Sequence, residues 1–286
     1  VRKLYVWLIV LLIGFMLAHN GLVWRKKAVA LRQKQERSVV RMTTGQRLQH
    51  LILLTSFITL VLTGFALKYP DSWLAWLLGS SESFRRIGHR VAGVALIGVG
   101  VYHLVYLFST RDGWRLLKDI RPVRKDIYEL LDSLRYYLGR SGKKPKFGRF
   151  GYPEKLEYWA LVWGTIIMAI TGLMAWFTLQ TTTLLPRWSI DVALTIHFYE
   201  AILATLAILV WHFYQVVFDP DVYPMNWAWY DGRVSAEWYE EEHPLDVHRV
   251  EPTEGEGPQP PPEQSPAPAS DPPPSGGPQH PLSGDA

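Results

Sequence analysis

The chain has 286 residues, 48% of them hydrophobic, with no cysteine and a formal net charge of +4. The absence of cysteine from these residues excludes disulfides, thiolate-held iron–sulfur clusters and thioether-attached haem, so any haem must be bound non-covalently. Basic segments lie between apolar blocks and the last stretch is acidic and proline-rich, which speaks against nucleic-acid binding.

Five apolar blocks follow in order. Residues 4–24, between Arg2-Lys3 and Arg25-Lys26-Lys27, precede no small-residue cleavage site and read as an uncleaved anchor. Residues 25–47 hold eight basic side chains against one acid, Glu36. The second block, 48–67, opens with His50 and closes near Thr63-Gly64; the loop after it carries Trp73 and Trp76, as an interfacial belt requires. The third block, 86–108, carries His89 and His103. Residues 110–155 then hold thirteen Lys/Arg against six Asp/Glu. Within them Ile127, Leu130, Leu131, Leu134 and Leu138 recur at helical spacing, predicting an amphipathic helix over 122–138 that lies on the membrane or docks on a soluble partner. The fourth block runs over 156–179. The fifth, 190–218, carries His197 and His212 and is ended by Pro220 and Pro224. Beyond Val250 the composition PQPPPEQSPAPASDPPPSGGPQ has too few apolar residues to fold and predicts disorder.

The expected fold is an all-α membrane protein of five transmembrane helices. It comprises an anchor and basic linker (1–40), a four-helix bundle (41–230), a cytoplasmic extension (231–250) and a tail (251–286). The basic segments after the first and third blocks place those loops in the cytoplasm, with the N-terminus outside and the C-terminus inside.

His89 and His103 are 14 residues apart, and His197 and His212 are 15 apart. At about 100° per residue, 14 steps fall roughly 40° short of four turns and 15 overshoot by roughly 60°. Each pair therefore shares one broad helix face, its members about 21 to 22 Å apart along the axis. Antiparallel helices so built oppose imidazoles at two depths, and opposed imidazoles are axial ligands for haem iron. The pattern points to two stacked b-type haems. Threading gives the outer level one pair, His89 with His197, and leaves three candidates for the inner level: His50, His103 and His212. A haem-free transition-metal transporter could use the same histidines. Such sites also recruit carboxylates or sulfur, however, and the acid well inside a block is Glu200 alone. An anchor without cofactor leaves five intramembrane histidines unexplained. Arg47, Arg86 and Arg90 lie near the haem depths as propionate partners or snorkelling cations. His243, His248 and His280 fall outside the blocks and are expected to be solvated or disordered.

The chain repeats itself at an offset of 108 residues. Arg47-Leu48-Gln49-His50 matches Lys155-Leu156-Glu157-Tyr158, Thr63-Gly64 matches Thr171-Gly172, and His89 matches His197, while His103 matches Trp211, one position short of His212. The two glycines, each 14 residues beyond His50 or Tyr158, would let a flat macrocycle approach the helix backbone, or let helices pack closely.

Several landmarks carry a family resemblance over roughly residues 41–244. They are the RLQH start of the second block, LTG near its end, HRVAG at the start of the third, the two-histidine last helix, and GRVSAEWYEEEHP from Gly232. In this order they resemble the cytochrome b (gamma) subunit of respiratory formate dehydrogenases and the b-type cytochromes of Ni-Fe hydrogenases. The resemblance implies a four-helix bundle with two haem b groups. Electrons would pass between an outer redox partner, an iron–sulfur protein or multihaem cytochrome c, and a quinone near the inner haem. It implies His89 and His197 as outer ligands and His50 and His212 as inner ones. His103 departs from that pattern and resembles the two-histidine helix of the cytochrome b in quinol–cytochrome c oxidoreductases, which would pair His103 with His212. The spare histidine becomes a quinone or proton-relay group. The family's quinone loop resembles Gly151-Tyr152-Pro153-Glu154-Lys155, with glycine in place of an asparagine, which adds Lys155 and Tyr158 as quinone candidates.

Overall fold

The computed structural model describes residues 39–79 and 81–246. The expected anchor and the proline-rich tail lie outside the described residues. Four long helices make the frame: α1 (Thr44–Lys68), α3 (Glu82–Ser109), α6 (Tyr152–Trp176) and α8 (from Trp188, continuing to Phe218). Each is long and apolar enough to cross a membrane.

Their sequences are turned inside out relative to a soluble bundle. Val91, Val94, Val101, Leu104 and Phe108 of α3 are exposed, while the buried positions of α1 are Gln49, Ser56, Thr63 and Ala66. The first three recur every seventh residue and mark the face turned to the bundle. Small and polar residues there let helix backbones approach, which lipid-exposed bulky residues do not. The helices pair in sequence, α1 with α3 and α6 with α8, as a duplicated helix hairpin requires.

Local signals fix the ends. Thr43 caps α1 in a capping box with Gln46, and Thr110 both ends α3 and caps α4 (Arg111–Ile120) through Gly113 N–H. The short α2 (Trp73–Leu77) carries Trp73 and Trp76, both of them exposed. Buried Arg85 ties it to the bundle by donating to the carbonyls of Ala75 and Gly79. A further short helix, α7 (Thr178–Leu184), joins α6 to α8.

The basic segment differs from expectation in one way. It forms two helices, α4 and α5 (Arg124–Tyr137), because Pro122 interrupts what would otherwise continue. The apolar side of α5, with Ile127, Leu131 and Leu134, faces outward, while Glu129 and Ser133 are buried. The Lys155–Asp126 ion pair (2.7 Å) and the bond from Trp159 Nε1 to the Ile120 carbonyl hold this segment on the start of α6.

Residues 228–246 form a cap. After α9 (Ala228–Asp231), strand β2 (Arg233–Val234) pairs antiparallel with β1 (Val39–Val40), and α10 (Ala236–Glu242) follows. Gly232, at φ 82°, accepts bonds on its carbonyl from Arg41 and Met42, and a side chain there would strike the Met42 carbonyl. Val39, Ala228, Val234 and Tyr239 make a small core.

His243 belongs to this cap and corrects the expectation of a solvated side chain. It is 3% exposed, its Nδ1 bonds the Gly148 carbonyl at 2.7 Å, and its Nε2 lies 3.6 Å from Glu154. Arg41 pairs with Glu154 at 2.8 Å, donates to the Arg149 carbonyl, and lies over the rings of Phe150 and Tyr239. The cap thus closes on the first turn of α6.

Candidate functional site

Two histidine pairs face each other across the bundle at opposite ends. His89 of α3 and His197 of α8 have ring centroids 6.3 Å apart; His50 of α1 and His212 of α8 are 6.4 Å apart. Two imidazoles bound to one metal through nitrogens at about 2.0–2.1 Å have centroids about 6.3 Å apart. Both pairs therefore stand at the spacing of a bis-imidazole iron, and both present the donor chemistry that haem accepts.

The His89–His197 level is symmetric in its supports. Thr63 Oγ1 lies 3.0 Å from His89 Nδ1, and Thr171 Oγ1 lies 2.9 Å from His197 Nδ1. Each hydroxyl donates to the carbonyl four residues back, Thr59 or Ile167, so it is left to accept from the imidazole. That puts the proton on Nδ1 and leaves the lone pair of Nε2 free for a metal. The following glycines make room for the rings. A Cβ on Gly64 would stand 3.2 Å from His89 Cε1, and one on Gly172 would stand 3.2 Å from His197 Cε1.

The other level is related by the same repeat but has diverged. In one half, His103 Nδ1 lies 2.8 Å from Gln49 Oε1 and its Nε2 lies 3.0 Å from Tyr158 Oη. In the other, His212 Nδ1 lies 3.3 and 3.4 Å from the two oxygens of Glu157, and its ring faces His50. Gln49 and Glu157 are equivalent at the offset of 108, as are His50 and Tyr158. Two equivalent constellations therefore exist, one ending in a histidine partner and the other in a tyrosine.

The one-residue slip between His103 and His212 has a structural cause. The helix widens to π geometry over Ile208–His212 and again over Tyr214–Phe218. One extra residue in a turn removes about 100° of rotation, bringing His212 from roughly 60° past four turns to roughly 40° short, as for His103.

The other predicted residues are placed as follows. Lys155 is taken up by Asp126, each side chain less than 15% exposed. The Gly151 amide is bonded to Glu154 at 2.6 Å. Arg47 donates to the Tyr230 carbonyl (2.6 Å), Arg86 pairs with Glu82, and Arg90 stacks on Trp176 with its guanidinium 4.9 Å from the ring centroid. Thr63, Thr171, Gln49 and Glu157 went unassigned in the sequence. The repeat held their signal, since each sits at the same offset from its counterpart.

A multi-pass helical bundle with two opposed histidine pairs defines a membrane b-type cytochrome. The profile of the prokaryotic cytochrome b561 family matches residues 41–224, and the chain belongs to that family. It is similar to the formate dehydrogenase cytochrome b556(fdo) subunit of Escherichia coli K12, at 23% identity over 219 residues, 74% of this chain and 92% of that subunit. It also resembles the formate dehydrogenase cytochrome b556 subunit of Haemophilus influenzae, at 24% identity over 139 residues, 48% of this chain and 54% of that subunit. The chain is a membrane b-type cytochrome of the formate dehydrogenase gamma type.

Proposed function

We propose that the chain holds two haem b groups, one between His89 and His197 and one between His50 and His212. In this reading it serves as the membrane subunit of a respiratory oxidoreductase, linking an outer redox partner to the quinone pool. The observation that carries this is the pair of ring separations, 6.3 and 6.4 Å, at opposite ends of one bundle. Haem b, when bound, supplies a one-electron couple at each level.

The chain's own residues do the rest. Thr63 and Thr171 hold the outer imidazoles in the tautomer that offers Nε2 to iron. Gln49 accepts from His103 Nδ1, leaving His103 Nε2 to take a hydrogen bond from the Tyr158 hydroxyl. With both ring nitrogens so engaged, His103 acts as a proton carrier beside the inner pair. His103 and Tyr158 are then the groups that exchange protons with a quinone headgroup. Lys155, bound to Asp126, holds α5 in place. The basic segment carrying α4 and α5 sits at the His212 end, which supports a cytoplasmic position for that end, with the C-terminus inside. The partner at the other end is an iron–sulfur protein or a multihaem cytochrome c.

The experiment is anaerobic mixing of the haem-loaded protein with a soluble quinol while following the haem α-band. Reduction of both haems is expected. A fully loaded protein that no quinol reduces, and no quinone reoxidises, contradicts the quinone end of the proposal.

A further inference from the structure

Four side chains hold the histidine Nδ1 atoms, and they differ in charge. Thr63 faces His89, Thr171 faces His197 and Gln49 faces His103, all as neutral groups. Glu157 faces His212 with a carboxylate, both oxygens within 3.4 Å of Nδ1. Its Oε1 is enclosed and bonds no other group. Orientation alone does not require the charge, because Gln49 performs the same holding in the duplicated half with an amide. Glu157 lies in the first turns of a helix long and apolar enough to cross a membrane, where an ionisable side chain marks a functional position.

We propose that Glu157 is a positioning residue that gives His212 anionic character, making the inner haem the harder of the two to reduce. The proposal rests on the two-haem reading above. A carboxylate accepting from Nδ1–H raises the basicity of the ligating nitrogen. Extra electron density and a nearby negative charge both favour ferric over ferrous iron. The outer level, held by two threonines, lacks that influence. With haem bound, a lower potential at the inner level would give its electron more driving force toward a neighbouring acceptor than a neutral partner at Nδ1 would.

The test is a potentiometric titration of the haem-loaded full chain, wild type against Glu157→Gln, with haem content measured on both. The variant is expected to keep two haems and to raise the lower midpoint alone. The rise should match at least a tenfold change in the reduction equilibrium, about 59 mV for one electron. The ferric near-infrared charge-transfer bands, which move with the anionic character of an axial imidazole, should be distinct for the two haems in the wild type and converge in the variant. A two-haem variant with unchanged midpoints, or with the upper one moved, overturns the role of Glu157. If the glutamine variant loses haem, the wild-type bands decide: two distinct bands support the role and a single shared band overturns it. A wild type without two haems overturns the two-haem reading itself, a failure told apart by the haem count.

Discussion

His50→Ala is expected to lose one of two haems, whereas His103→Ala keeps both. The two histidines are close in depth and equally plausible from spacing alone, but their surroundings differ. His50 faces the ring of His212 at the separation that one iron requires. His103 is bonded through both nitrogens, to Gln49 and Tyr158, and the tyrosine occupies the place of an opposing ligand. Under the proposed assignment, removing His103 costs a proton carrier and leaves the iron ligands in place. Haem reduction by quinol should slow by about 10²- to 10⁴-fold, the usual worth of a positioned acid–base group. Haem content by pyridine haemochrome and stopped-flow reduction read the two effects separately. A His103→Ala protein with one haem would show that the inner pair is His103 with His212.

Acidification is expected to release the cap over residues 228–246. Burial, reinforced by the Arg41 guanidinium, pushes His243 down from its usual 6.5 to about 4. In the folded cap it is neutral; released, it takes up a proton as soon as the pH falls below about 6.5. Its contribution is thus fully present above pH 6.5 and is lost progressively as the pH drops toward 4. The loss amounts to roughly 3 kcal/mol. Hydrogen exchange of these residues, corrected for intrinsic rates, should show protection falling between pH 7.5 and 5, with a His243→Gln variant flatter across the range. Protection that rises on acidification would contradict the assignment. The consequence reaches the site, because Arg41 and His243 both close on Glu154, one helical turn before Glu157 and Tyr158.

The frame was legible because membrane helices announce themselves by length and hydropathy, and the histidine spacings by arithmetic on an ideal helix. His89 and His197 were paired by threading alone. The inner level was left with three candidates, His50, His103 and His212, and an ideal helix turns His103 and His212 to different rotations relative to His89 and His197. The π turn before His212, which no residue signals directly, removes that difference. Gln49 and Glu157 touch histidines 54 and 55 residues away, beyond any local pattern, although the repeat had already aligned them with each other. The cap stayed hidden for a different reason. A segment rich in Glu and Tyr after a proline reads as solvated, and its burial depends on a two-residue strand pairing with residues nearly two hundred positions earlier. The apolar side of α5 is exposed, as a helix that lies on a membrane or a partner requires, while Glu129 and Ser133 are buried against the rest of the chain.

The most direct test of the central claim is the haem count and ligation of the purified, haem-supplied protein. Pyridine haemochrome should give two b-type haems per chain, and the ferric spectrum should show two low-spin, six-coordinate centres. One of these should vanish in His89→Ala and the other in His50→Ala. A protein that takes up one haem, or none, or holds high-spin iron with an open axial position, would contradict the two bis-histidine levels.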